Sequence, residues 1–473
     1  MKYILAYSAE KQGKFALFKC SDGETLLTNS WFDAISFILK PCDMAVTWNV
    51  EHFADAFISL ITKSKAKELN DNGKVFLENG EKVYYQIGRV FAVTYGRETN
   101  VYPLHKYSDK EITDVKELEI LGYKVLEAYK VFGIEPTKLT SPVSVYSLDN
   151  IDYPRACDLP ESAYSMLNRC DITKWIEWRE VFKLGHWNAN EVLDYDLQSA
   201  YPSLIARLPD LRGAKFFKTE EMPDDSEYSW GELEGVLRIT KDVTPFGYIG
   251  EQEAQITTEH LWAINKYDWG SFKFKHGYFF KLPQTYRLPF REIMQNLYQK
   301  RCSSNPMVSK IAKAISVGIG GKFAQRYENG RLGDDYQSIY SRMITSRCSI
   351  KVADFVWRNG ISKDVIAILV DGILTENNGV NIELGNGGIG SWRVNDPSPF
   401  IVASLLYQWG GTKHPNAETY DEIMDHIKAN PNSSIIGKDV DLNLLTHGRI
   451  FEDRPRTGRE LLSKYYTSTP NMV

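Results

Sequence analysis

Val192-Leu-Asp-Tyr-Asp-Leu-Gln-Ser-Ala-Tyr-Pro-Ser203 is the stretch on which the reading of this chain turns. Apolar Val192 and Leu193 lead to Asp196 and then to the turn-like Ser199-Ala-Tyr-Pro202. The run therefore reads as a buried strand that presents one carboxylate at its tip before a helix or turn. A strand-end carboxylate suits Mg²⁺, a hard cation that takes few of its oxygen ligands from protein. A surface Asp beside a turn has the same local pattern, so the stretch needs partners elsewhere in the chain.

Two other stretches can supply them. Pro289-Phe-Arg-Glu-Ile-Met-Gln-Asn-Leu-Tyr-Gln-Lys-Arg301 has a proline suited to a first helical turn and an apolar stripe at Phe290, Ile293 and Leu297. Ser303-Ser-Asn-Pro306 breaks it, and a second helix runs from Met307 through Val308, Ile311, Ala312 and Ile315. Helices joined by so few residues form an antiparallel hairpin. In the second helix Lys313, Val317 and Gly320/Gly321 share a face at 3.6 residues per turn. Gly318, Gly320 and Gly321 would each cost that helix about 1 kcal/mol relative to Ala, which predicts close approach of something flat. A solvated basic helix face is the plainer reading of the same residues. The third stretch, Asp364-Val-Ile-Ala-Ile-Leu-Val-Asp-Gly-Ile-Leu-Thr375, reads as an apolar hairpin with Asp371 in its middle. A buried Asp is costly unless paired or bound to metal.

Composition narrows the class. At 473 residues the chain is long enough for several domains, and its 43% hydrophobic and 25% charged content is that of a soluble globular protein. The apolar run near Met1 is too short for a signal peptide, and no run of about 18 apolar residues occurs; no membrane partner is expected. Cys20, Cys42, Cys157, Cys170, Cys302 and Cys348 form no C-x-x-C pair, which predicts reduced thiols, a cytoplasmic protein and no zinc site. A net charge of −5 argues against a surface coated by nucleic acid but leaves room for a basic groove. Between Phe290 and Arg331 eight Lys/Arg stand against two Glu, whereas acids gather in Thr219–Glu227.

In the order given, these stretches resemble three motifs of the family B DNA polymerases. Asp196–Ser203 is similar to motif A, D-x-x-S-L-Y-P-S. Lys313-Ala-Ile-Ser-Val-Gly-Ile-Gly-Gly-Lys-Phe323 is similar to motif B, K-x-x-x-N-S-x-Y-G-K-F, with Val317 for the family's Asn and Gly320 for its Tyr. Asp364–Thr375 is similar to motif C, V-I-Y-x-D-T-D-S-V-x-V, with Asp371 on the second Asp and Leu369 on the first. Weaker likenesses surround these. Arg179 fits a template-contacting G-G-R-x-E loop in which Glu177 and Trp178 replace glycines, with Glu180 one position before the pattern's Glu. Thr345-Ser-Arg347 resembles a helix start, I-T-A-x-x-R. Gly390-Ser-Trp392 and Tyr407 resemble the G-x-W and K-x-Y region, with Leu405 for the Lys.

The resemblance implies an α+β multidomain fold, a right-hand polymerase of palm, fingers and thumb preceded by an RNase H-like α/β exonuclease-type domain. The boundaries expected are 1–140 for the exonuclease-like domain, 141–190 for a connecting segment and 191–285 for the first part of the palm. Fingers then occupy 286–325, the second palm part 326–398 and the thumb 399–473, with Arg449, Arg454, Arg456 and Arg459 available to duplex phosphates. The exonuclease motifs are degraded: Ser8-Ala-Glu10 stands for D-x-E, Asn49-Val-Glu-His-Phe-Ala54 for N-x-x-x-F-D with Asp55 one step late, and no Tyr between 90 and 170 has an Asp four residues on.

The expected activity is template-directed transfer of dNTPs to a primer 3′-OH on primer–template DNA, without proofreading, in viral or plasmid replication, in the host cytoplasm if virus-encoded. The resemblance implies two Mg²⁺ ions, or Mn²⁺, on Asp196 and Asp371, with Lys313, Arg301, Lys310 and Tyr201 on the nucleotide. Arg179, Gly321, Lys322, Arg347 and Tyr407 are expected on DNA, and a terminal protein or other replication protein is a candidate partner. A polymerase that makes its own primers, and a polymerase-fold protein that binds DNA without extending it, remain the alternatives. Gly320 in place of the Tyr that packs on the new base pair predicts a roomier pocket and lower base selectivity. Single-nucleotide misincorporation assays check this, and ordinary selectivity would overturn it.

Overall fold

The computed structural model describes residues 2–403 and 406–409 other than 79, 88, 109, 140–141, 172–176, 184 and 328–329, together with 425, 428–429, 435–436 and 440–441. The expected thumb therefore lies largely outside the described residues, as do Leu405, Arg449, Arg454, Arg456 and Arg459. The chain divides into two compact units, Met1–Asn150 with Leu297–Gly318, and Ile151–Asn296 with the described residues from Ile319 onward.

The first unit is built on eight strands: β1 (Ile4–Gln12), β2 (Phe15–Cys20), β3 (Thr25–Thr28), β4 (Met44–Thr47), β5 (Lys74–Phe76), β6 (Lys82–Gln86), β7 (Val90–Tyr95) and β8 (Arg97–Pro103). They form one sheet in the order β3-β2-β1-β4-β8-β7-β6-β5. β4 runs parallel to both β1 and β8, and the other pairs are antiparallel. The parallel strands at the centre are mostly apolar where they pair, as burial on both faces demands, with Thr47 the polar exception. Helices α1 (Trp31–Ile38), α2 (Val50–Ile58), α3 (Lys63–Asn72), α4 (Val115–Lys130) and the short α5 (Pro142–Val145) complete this part. Ser30, Asn49, Thr62 and Asp114 accept from the first turns of α1 to α4 in that order, supplying the side-chain oxygens that exposed helix N-termini need. Phe53 meets Phe91 and Phe18 edge-on, with ring centroids 5.4 and 5.8 Å apart, in the middle of the core.

The same unit includes most of the expected helical hairpin. α9 (Arg291–Arg301) buries Phe290 just before its start and Leu297, as expected, with Met294 between them; Ile293, expected in that stripe, is only half-buried. α10 (Pro306–Lys322) begins with Pro306 at its first position, and Asn305 Oδ1 accepts from the backbone of Met307 at 3.0 Å. Lys300 near the end of α9 donates to Val131 O at 2.8 Å and lies 4.7 Å from the Phe132 ring centroid.

In the second unit, strands β9 (Arg179–Val181), β11 (Val192–Leu197), β16 (Val365–Leu369), β17 (Gly372–Glu376) and β18 (Trp392–Val394) make a five-stranded antiparallel sheet ordered β18-β11-β17-β16-β9. β12 (Lys215–Thr219), β13 (Trp230–Ile239), β14 (Gly250–Thr257) and β15 (Gly270–Lys281) make a second sheet, ordered β12-β15-β13-β14. β10 (Gly185–Trp187) pairs with β19 (Phe400–Ala403), which in turn pairs with β20 (Leu406–Trp409). β9, within the stretch likened to a template-contacting loop, pairs with β16.

The helices of this unit are α6 (Tyr164–Arg169), α7 (Ala200–Ile205), α8 (Thr258–Tyr267) and α11 (Ser338–Arg358). α11 is buried along most of its length. Thr345-Ser-Arg347, read as a helix start, lies well inside it. Its Phe355 stacks on Trp392 of β18 at 4.1 Å and meets Tyr195 of β11 edge-on at 5.2 Å. Phe290, Phe323, Tyr340 and Tyr153 form a second aromatic cluster, with centroid distances of 4.9 to 5.5 Å along the chain of contacts Tyr153–Phe290–Phe323–Tyr340.

One ion pair is sealed in this core. Arg342 Nε of α11 donates to Glu232 Oε1 of β13 at 2.6 Å, with side-chain exposures of 3% and 1%. Burial pushes the Glu232 carboxyl up to about 7 against the pull of the guanidinium. Removing one partner strands the other charge, whereas replacing both by apolar side chains removes the desolvation penalty as well. Glu232→Ala should therefore cost about 3–5 kcal/mol, and the double variant Glu232→Leu/Arg342→Met much less. Urea unfolding followed by tryptophan fluorescence checks this; equal losses in the two variants would overturn it.

Candidate active site

The two acids singled out in the sequence lie close together in one sheet, one in a strand and one in the turn before the neighbouring strand. Asp196, next to last in β11, is opposite Gly372 of β17. Asp371 is the second residue of the two-residue turn between β16 and β17, and its carbonyl accepts from Leu197 N at 3.0 Å. The alternation of β11 explains which face is which. Tyr195 and Leu197 are buried, and Tyr195 meets Phe355; Asp194 and Asp196 therefore share the opposite face.

Across the sheet, register sets one row: Arg393 of β18, Asp196, Gly372, Leu369 of β16 and Arg179 of β9. Asp196 Oδ2 accepts from Arg393 Nε at 2.9 Å and from its terminal nitrogen at 2.8 Å. Leu369, where the family pattern has a carboxylate, occupies the place between Gly372 and Arg179. Asp194 accepts from Asn395 Nδ2 at 2.9 Å; burial pushes its carboxyl up, the Asn395 amide pulls it back, and the Asp196 charge adds to the rise.

The backbone at both acids is unusual. Ser199, between β11 and α7, has φ 52°, and Val370, before Asp371, has φ 59°. A β-branched residue in the left-handed region is strained by about 1–3 kcal/mol and persists only where its surroundings hold it. Val370 is held on both sides: its N–H donates to Trp178 O at 2.9 Å, and its carbonyl accepts from Cys348 Sγ at 3.7 Å.

Tyr201, in the first turn of α7, donates its hydroxyl to Glu177 Oε1. Burial and that carboxylate, with Cys348 and Asp371 nearby, push the phenol well up. The other Glu177 oxygen accepts from the Arg179 guanidinium at 2.7 Å. Two more of the basic residues expected on DNA also face acids: Lys322 lies 3.3 Å from Asp335, and Arg347 Nε 3.0 Å from Glu259. Of Tyr407 the structure describes its place in β20 only.

Along α10 the exposed positions include Lys313, Val317 and Gly321, while Gly320 is buried. The glycines differ in what they permit. A Cβ at Gly321 would meet nothing within 4 Å, and one at Gly320 would touch Tyr201 at an ordinary 3.6 Å. At Gly318 it would come within 2.7 Å of Val143, so that glycine is explained by packing inside the chain, not by an approaching ligand. Arg301, Lys310 and Lys313 belong to the first compact unit. There a cavity of about 320 Å³ is lined by Ser8, Glu10, Asn49, His52, Asp55 and Glu111. Ala54 is fully buried, Asp55 is exposed, and Asn49 is the helix cap of α2.

Among the described residues no group of three His, Cys, Asp or Glu side chains is gathered as a metal cage. Asp196 and Asp371 are nonetheless a donor set that fits Mg²⁺, which is held by one or two carboxylates and completed by water and substrate phosphate. Sequence reading missed Arg393, Asp194 and Glu177's contact with Tyr201. Only Asp194 carried a signal, its two-residue spacing from Asp196 in a strand.

Comparison with solved structures accords with this geometry. An orthorhombic crystal form of Phi29 DNA polymerase matches with a TM-score of 0.54 at 14% identity, over 88% of this chain and 89% of that one. Phi29 DNA polymerase complexed with primer-template DNA in the post-translocation binary complex matches with a TM-score of 0.51 at 13% identity, over 85% of each chain. The fold is shared. It is the expected right-hand architecture preceded by an exonuclease-type domain, and the likeness to family B polymerases read in the motifs holds at the level of fold. No family model matches the chain, and no curated protein matches it in sequence.

The strain at Val370 yields a test. Val370→Gly, which suits φ 59°, should stabilise the protein by about 1 kcal/mol, and Val370→Ala should not. Urea midpoints measure both; a lower midpoint for the glycine variant would overturn the assignment of strain.

Proposed function

We propose that this chain is a DNA-directed DNA polymerase that transfers deoxynucleotides from dNTPs to a primer 3′-OH. The observation that carries the reading is the juxtaposition of Asp196, in β11, with Asp371, in the turn that leads into the neighbouring strand β17, in a chain whose fold is shared with Phi29 DNA polymerase. Asp196 and Asp371 would hold two Mg²⁺ ions, with Mn²⁺ as substitute, each completed by water and triphosphate oxygens. When bound, the ions lower the pKa of the attacking hydroxyl and stabilise the leaving pyrophosphate. Arg301, Lys310 and Lys313 are the cations for the triphosphate, held by charge in advance of reaction. Tyr201 lies in the helix that follows Asp196 and would set the floor under the sugar.

Proofreading is absent in this reading. Ala54 is in the core at the place where the resembled motif has an acid, and Asp55, one step later, is exposed. Primer–template DNA is the expected partner, as in one of the Phi29 polymerase structures. Among the described residues no helix is long and apolar enough to cross a membrane. Replication of a viral or plasmid genome, with a terminal protein as possible primer, fits the likeness to Phi29 DNA polymerase.

A second reading, a polymerase-fold protein that binds DNA without extending it, is favoured by the Arg393 guanidinium on Asp196 and by Leu369. Primer extension and unprimed synthesis with Mg²⁺ and Mn²⁺ separate the two. Wild type should extend a primer, and Asp371→Ala should lose on the order of a thousandfold in rate, because several kcal/mol of transition-state stabilisation goes with the metal site. Intact DNA binding with no incorporation under any condition would leave the second reading standing.

A further inference from the structure

Glu177 stands where the template-contacting loop of the resembled family has glycine, yet its carboxylate is engaged at both oxygens. Oε1 takes the Tyr201 hydroxyl and Oε2 the Arg179 guanidinium at 2.7 Å. Glu177 is one residue before Trp178, whose carbonyl holds the strained Val370 beside Asp371. It thus joins the residue after motif A's turn, the edge strand β9 and the hairpin turn of the second acid. A tyrosine ring hinged only at its Cβ swings through its χ angles, whereas one also fixed at its hydroxyl cannot.

We propose that Glu177 is a positioning residue that locks the Tyr201 ring and so sets discrimination between deoxyribose and ribose in the incoming nucleotide. This rests on the polymerase reading above. In the resembled family the Tyr at this place stacks under the sugar and excludes a 2′-hydroxyl; in that reading a Tyr201 ring held at both ends is a fixed edge, and a released ring yields. Arg179, held by the other oxygen, keeps the carboxylate from rotating away. The lock is a charge-assisted hydrogen bond, and losing one such bond is worth about tenfold in a ratio of rates.

The test compares wild type, Glu177→Ala, Glu177→Gln, Tyr201→Phe and the Glu177→Ala/Tyr201→Phe double variant. Single-turnover incorporation of dNTP and rNTP on a primed template gives kcat/KM for each sugar. Glu177→Ala and Tyr201→Phe should each raise rNTP use relative to dNTP about tenfold, and the double variant no further. Glu177→Gln keeps one acceptor oxygen for two donors and no charge, and should give a ratio between wild type and Glu177→Ala. A double-mutant cycle on urea unfolding, run without nucleotide, should show coupling between the two side chains. Additive unfolding effects would overturn the proposal whether or not the protein synthesises DNA. An unchanged sugar ratio in an active Glu177→Ala would overturn it alone, leaving polymerase activity untouched. No synthesis by wild type, with coupling intact, would overturn the polymerase reading and the sugar role with it.

Discussion

The antiparallel register of β11 on β17 is the constraint from which the rest of the candidate site follows. Side chains of a strand alternate between faces, so a slip of one residue would exchange Asp194 and Asp196 with Tyr195 and Leu197. Such a slip is opposed from the other side of the sheet. Tyr195 and Leu197 are buried, and Phe355 of α11 packs between Tyr195 and Trp392. The position of Asp196 is thus fixed less by anything it touches than by the aromatic packing beneath its neighbours.

The same register gathers strain and charge at one edge. Ser199 and Val370 both adopt left-handed backbone beside the two acids, and each lies between a strand and its sharp continuation. A two-residue hairpin turn calls for positive φ at its first position, so the strain at Val370 comes with the turn and is borne by the bond it donates to Trp178 O and the one it accepts from Cys348. The buried Glu232–Arg342 pair has a comparable role deeper in the unit, tying α11 to the second sheet. α11 therefore supports both sheets, through Phe355 on one side and Arg342 on the other.

What the sequence made legible follows from local periodicity. The β11 strand, the β16–β17 hairpin and the α9–α10 pair were readable, since each carries its own apolar run or helical stripe. β9 was not: three residues are too short to show a period, and their partner is β16, nearly 190 residues away. The glycines of α10 mark the same limit. Three of them read alike in sequence, yet Gly318 answers to Val143 and Gly321 faces open space, a distinction that only tertiary packing makes. Arg393 was passed over because nothing in its neighbourhood announces that it will pair across the sheet with Asp196.

The ion pairs also explain how a chain of net charge −5 can be reconciled with a polyanionic partner. Arg179, Lys322, Arg347 and Arg393 each face a carboxylate of the same unit, at 2.7, 3.3, 3.0 and 2.8 Å. In the proposed reading, a phosphate arriving at such a cation exchanges one anion for another. The released carboxylate must then find a cation from solution or from a bound metal ion. Binding through such pairs therefore liberates fewer net counterions than binding through bare lysines, and its dependence on salt is correspondingly shallower. The Arg393–Asp196 pair is the sharpest case, because its acid is also one of the two proposed metal ligands: the guanidinium and a divalent cation compete for the same oxygen. In the proposed reading, this internal pairing would hold the acids in place until nucleotide, metal and template arrive.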